Sequence, residues 1–131
     1  MRSALSVAFV FVIAATCVPV ASAAAQAAGP SVRLLVQSSP LAGFRHHEAA
    51  GVWHLLQVGD SLELVREPDN PHDARAIRVD WRGSKLGYVP RRENDAIAWG
   101  LDRGDVLRAR ISRLDERRPA SRRLEFEIYV E

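Results

Sequence analysis

The sequence predicts a mainly β domain, with about six short strands curled into a small closed or partly open barrel and one or two short helices. Three observations carry that prediction. Apolar and polar residues alternate in several separate short runs, at the two-residue period of half-buried strands. Clusters of Gly, Pro, Asn and Asp punctuate those runs and mark turns. One window, 96–101, repeats clearly at helical spacing instead. Short amphipathic strands at close spacing favour a barrel. A barrel of this size is filled by its own side chains and has no cavity for a large ligand.

The elements follow in order. Residues 31–37 (SVRLLVQ) form the first expected strand. Leu41-Ala42-Gly43-Phe44 is a short apolar run leading into Arg45-His46-His47-Glu48. Residues 52–56 read as either a short strand or a helical turn, and Gly59-Asp60 as a turn. Leu62 and Leu64 alternate with Glu63 as the next strand. Ile77, Val79 and Trp81 alternate with Arg78 and Asp80, Arg82-Gly83-Ser84 turns the chain, and residues 85–89 (KLGYV) return, giving a β-hairpin. Pro90 then opens a helix, because Pro fits the first helical position and acids suit the first turn. Its apolar face is Ala96, Ile97, Gly100 and Leu101, and Gly104 stops it. Residues 105–114 and 122–130 are the last two strands. Glu125 and Glu127 on one should face Arg108 and Arg110 on the other, since opposite charges pair across strands.

A chain of 131 residues suggests one domain. Its start is a separate matter. Arg2, the apolar run 4–15, Pro19 and Ala21-Ser22-Ala23 read as a secretory signal peptide over residues 1–23, cleaved after Ala23 or within 24–28. A membrane anchor is the alternative, but Thr16 and Pro19 interrupt the run, which falls short of the ~20 residues needed to span a bilayer. The expectation is an exported protein, periplasmic or secreted, with no stable membrane anchor after cleavage. A small-residue flexible linker, 24–31, would precede the folded domain, 32–131. Cys17 lies within the leader, with Ala14 and Thr16 where a lipidation signal needs a large aliphatic and a small residue. The remaining chain has no cysteine, which excludes disulfides and thiol chemistry.

Charge is nearly balanced after the leader: 18 basic residues less Arg2 leaves 17, against 16 acidic. Residues 108–123 are uneven, with seven Arg against Asp115 and Glu116. That segment is either a solvated hairpin or a phosphate-facing surface, Arg being the side chain that pairs bidentately with phosphate.

Polar chemistry gathers at Arg45-His46-His47-Glu48 and at Asn70-Pro71-His72-Asp73, which hold three of the four histidines. His46, His47, His72, Asp73 and Glu48 have donor atoms suited to zinc, but neighbouring histidines on a strand point to opposite faces. His72 beside Asp73 suggests an oriented general base, with no nucleophile pattern and no phosphate-cradling glycine loop to accompany it. Ligand recognition is the third reading: rings stack on bases, Arg binds phosphate and a carboxylate accepts a sugar hydroxyl. Asp69, Asn70 and Pro71 also serve simply as turn formers.

The stretch from Gly43-Phe44-Arg45-His46-His47 onward resembles a HIRAN domain. The residues that carry the likeness are Arg66-Glu67-Pro68-Asp69-Asn70-Pro71-His72-Asp73, then Ala76-Ile77-Arg78-Val79, then Gly87-Tyr88-Val89-Pro90. The resemblance covers roughly residues 36–114 and implies a small OB-like or SH3-like barrel. It also implies a non-catalytic module recognising the 3′-hydroxyl end of single-stranded DNA. On that resemblance Arg45 would contact phosphate, and His46, His47 and His72 would replace stacking aromatics. Asp73 would accept the terminal hydroxyl, and Tyr88 with Arg91 or Arg92 would touch the backbone. No cofactor is implied for this chain, zinc being the one ion its histidines suggest; the zinc and acid-anhydride hydrolase chemistry of large multidomain members has no support in these residues. The expected partner is single-stranded DNA or another acidic ligand. The alternatives are an exported interaction or structural protein with a possible protein partner, or a histidine metal site.

Overall fold

The computed structural model describes residues 32–131; the expected signal peptide and linker lie outside the described residues. In chain order the elements are β1 (Leu34–Pro40), α1 (Ala49–Val52) running into a 3₁₀ turn (Trp53–Leu55), β2 (Ser61–Glu67), β3 (Ala76–Trp81), β4 (Ser84–Tyr88), α2 (Asp95–Asp102), β5 (Arg108–Leu114), a second 3₁₀ turn (Ala120–Arg122) and β6 (Leu124–Val130). Six antiparallel strands make one sheet in the order β1-β6-β5-β2-β3-β4. Among the described residues no helix is long and apolar enough to cross a membrane.

The two ends of that order meet without forming a ladder. Just past β1, the Ala42 N–H donates to the Tyr88 carbonyl at 2.9 Å and the Tyr88 N–H donates back to Ala42 at 3.0 Å. This two-bond bridge makes the sheet an OB-like, partly open barrel. Gly87 permits it, since a Cβ there would lie 2.2 Å from the Ala42 carbonyl oxygen. Inside, Phe126, Ile128, Ile111, Leu124, Ile77, Val79, Leu86, Leu41 and Ile97 lose almost all contact with solvent. Burying each large apolar side chain contributes about 1.5–3 kcal/mol before chain entropy is set against it.

Several boundaries differ from the sequence reading. β1 begins three residues later than the apolar run and extends to Pro40. Its limits are set by its register with β6, from Leu34 opposite Val130 to Pro40 opposite Glu125; Leu34, Leu35 and Val36 stay exposed and the inward residue is Ser39. Residues 52–56 take the helical alternative. α2 starts at Asp95, because Pro90 opens a turn closed by the Glu93 N–H on the Pro90 carbonyl, and Asn94 precedes the helix. Its buried residues are Ile97, Ala98 and Gly100, while Ala96 is exposed. Two alanines flank Ile97, so apolar pattern alone cannot choose between them. The expected charge pairing is present: Arg110 stands opposite Glu127 with 3.0 Å between Nη2 and Oε2, and Arg118 reaches Glu125 at 3.0 Å. Arg108 pairs with Glu131 instead. Much of the 108–123 Arg excess is therefore used within the hairpin itself.

Candidate functional site

The loop between β2 and β3 is stiff because its side chains bond its own backbone. Asn70 Oδ1 accepts the His72 N–H at 2.9 Å, and Asp73 Oδ1 accepts the Arg75 N–H at 2.9 Å. Both are Asx turns, and Pro68 before them and Pro71 within the first restrict the backbone. The loop is further pinned at its start, where Asn70 Nδ2 donates to Glu67 Oε1 at 3.1 Å. His72 is left exposed at the tip.

Asp73 is also tied to α2. Its Oδ2 accepts Asn94 Nδ2 at 2.7 Å, and Asn94 is 1% exposed. The Asn94 carbonyl accepts the Ala98 N–H, the first turn of the helix. Partial burial pushes the Asp73 pKa up. The Arg75 N–H, the Asn94 amide and the charges of Arg91 and Arg75 outweigh this and hold it below the ordinary carboxylate value.

Facing this carboxylate is a cleft of about 460 Å³ that brings together His47, His72, Asp73, Tyr88 and Arg91, with Asn70 and Lys85 at its wall. The Tyr88 hydroxyl donates to Glu67 Oε1 at 2.8 Å, which fixes its ring. The His47 ring meets Tyr88 edge-on at 5.4 Å, and Lys85 Nζ lies 4.6 Å from the Tyr88 ring centroid. Gly43, at φ +78°, leaves room for His47, since a Cβ there would sit 3.1 Å from the imidazole. Burial lowers the His47 pKa, and the charges of Lys85 and His46 lower it further against an opposing pull from Glu67. These influences favour the neutral ring, which is suited to stacking. Glu67 shows the reverse balance: burial pushes it up, but bonds from Tyr88 and Asn70 and the charges of Lys85 and Arg78 bring it below the usual value.

The other residues singled out from sequence lie elsewhere. Arg45 and His46 line a separate depression of about 340 Å³ with Phe44, Pro119, Ala120 and Ser121. Arg92 lines a third, of about 420 Å³, which adjoins Asp73 and Arg91. His46 and His47 part across the turn, and among the described residues no three His, Cys, Asp or Glu side chains come together to hold a metal. The two Asp73 oxygens are engaged by Arg75 and Asn94 rather than by His72, so the adjacent pair is not an oriented base. Sequence reasoning missed Lys85 at the cleft wall, and Glu67 and Asn94, which hold the cleft residues Tyr88 and Asp73. Glu67 was visible within the Arg-Glu-Pro run and Lys85 as the one lysine of the chain; nothing in the sequence distinguished Asn94 from a solvent-facing cap.

The HIRAN domain family matches residues 34–131. The chain belongs to the HIRAN domain family. Among solved structures, a Lactobacillus plantarum protein is 28% identical, with a TM-score of 0.66 over 75% of this chain and 94% of that one. The HIRAN domain of human HLTF superposes with a TM-score of 0.54 at 19% identity, over 76% of this chain and 80% of that one, which shows a shared fold. No curated protein matches the chain.

Proposed function

We propose that this HIRAN domain binds the 3′-hydroxyl end of single-stranded DNA. Membership of the family supports nucleic-acid binding in general. The observation that carries the finer reading is the gathering, in one cleft, of rings to stack on bases, cations for phosphate and a carboxylate still able to accept a hydroxyl. Each Asp73 oxygen accepts one internal bond and retains a second lone pair. Tyr88, His47 and His72 supply the rings, Lys85 and Arg91 the cations. Arg45, His46 and Arg92 would touch neighbouring parts of the strand. In an exported protein, as the N-terminal residues suggest, the ligand would be extracellular or periplasmic DNA. The exposed Leu34, Leu35 and Val36 of β1 favour a second reading, a protein partner added at that edge.

Fluorescence anisotropy with a labelled single strand tests the first reading. A strand ending in a free 3′-hydroxyl should bind more tightly than the same strand ending in a 3′-phosphate. Asp73→Asn, which keeps an acceptor for the Arg75 N–H, should lose that preference while retaining salt-dependent binding. Equal affinity of the wild type for both ends would overturn end recognition, and no binding to either would leave the protein-partner reading.

A further inference from the structure

The cleft does not use the exposed indole on α2. Trp99 is 68% exposed, whereas Ile97, Ala98 and Gly100 around it are buried. The Arg103 guanidinium stands 4.5 Å from its ring centroid, and Arg103 Nε is itself held by Asp105 at 2.8 Å. The indole is therefore supported on one side and open to solvent on the other parts of its surface.

Trp99 is joined to the cleft by continuous relief. The cleft and the Arg92 depression share Asp73 and Arg91. The Arg92 depression and one beside Trp99, of about 280 Å³, share Arg75 and Asp95. The path thus runs from the Tyr88 ring past Arg91, Arg92 and Arg75 to a second ring. Its acids are already partnered: Asp95 by Arg75, Asp102 by Arg66 at 3.0 Å, and Asp73 by Asn94. Arg91 and Arg92 are exposed, and no ion pair among the described residues engages either. From Asn94, which holds Asp73, Trp99 is five residues along the helix, or about 8 Å of axial rise.

We propose that Trp99 is a second base-stacking platform, taking a nucleotide upstream of the end held in the cleft, with Arg91 and Arg92 following the intervening phosphates. This rests on the end-binding reading and extends it from a pocket to a track. Aromatic rings and cations along a groove are the means by which single strands are held without regard to sequence.

The test compares labelled oligothymidylates of about 3 and about 9 nucleotides, each with a free 3′-hydroxyl, on the full chain. Trp99→Ala should weaken the longer strand by roughly five- to tenfold and leave the shorter one unchanged. Trp99→Phe should restore part of the loss. If Trp99→Ala binds the longer strand as the wild type does, the platform is wrong and end binding stands. If it weakens both strands equally, Trp99 acts through the fold and the platform is again wrong. If the wild type binds neither strand, the end-binding reading fails and the track fails with it.

Discussion

Single atoms decide the seam of the barrel and the charge state of the cleft. A methyl group at position 87 would have to displace the Ala42 carbonyl that completes the bridge to Tyr88. Gly87→Ala should therefore cost about 2–4 kcal/mol, read as a lower urea midpoint; a loss below about 1 kcal/mol would show that the seam yields freely. The titrating groups give a second prediction. Asp73 and Glu67 have folded pKa values below their ordinary ones. Each contributes stability that is present above its unfolded pKa, near ~4, and lost as pH falls through the lower folded value. His47 is also lowered, so the unfolded chain takes up its proton first as pH falls. Its contribution is present above about pH 6.5 and lost as pH falls through its folded value. Urea midpoints measured against pH should show an early loss below about 6.5 that is absent in His47→Gln, followed by the carboxylate loss. An early loss that persists in His47→Gln would assign it to another group.

At the scale of elements, partners rather than propensities set the limits. β1 is built on exposed Leu34, Leu35 and Val36, and it ends opposite the start of β6, not where its apolar run does. α2 waits for Asn94 because Pro90 is spent on a turn. The β5–β6 hairpin shows what charge patterning contributes. Arg110 is held between Glu127 and the Tyr129 ring, with the guanidinium carbon 5.4 Å from its centroid. A double-mutant cycle on Arg110→Ala and Glu127→Ala should give a coupling of about 0.2–1 kcal/mol that shrinks with salt. A coupling of zero at low salt would mean the pair only decorates the strand. The same pairing explains why the Arg-rich segment is a weak guide to function: its charge is largely answered by its own neighbour.

For the whole molecule, Lys85, Arg91 and Arg92 line the cleft or the depression adjoining it without an ion pair among the described residues, while Arg45, Arg82, Arg113, Arg122 and Arg123, also without one, line neither. If Lys85, Arg91, Arg92 and Arg45 meet phosphate, the logarithm of affinity should fall against the logarithm of salt with a slope of about −3. A slope much steeper would mean that the hairpin arginines also bind the strand. The sequence by itself determined the class of fold, the β3–β4 hairpin, the alternation of the last two strands and the loop that carries Asn70 and Asp73. Each of these rests on short-range rules: strand period, turn chemistry and side-chain bonds to nearby backbone. It also placed His47, His72, Asp73, Tyr88 and Arg91 among the residues of interest. Only the tertiary structure decided which of them share a cleft. Arg45 and His46 are next to His47 in the chain, yet they line another depression. Asn94 and Glu67, remote in sequence from much of what they hold, fix Asp73 and Tyr88 in place. Those contacts are made by bringing strand ends and a helix start together over a common core, and no pattern local to the chain records which ends will meet.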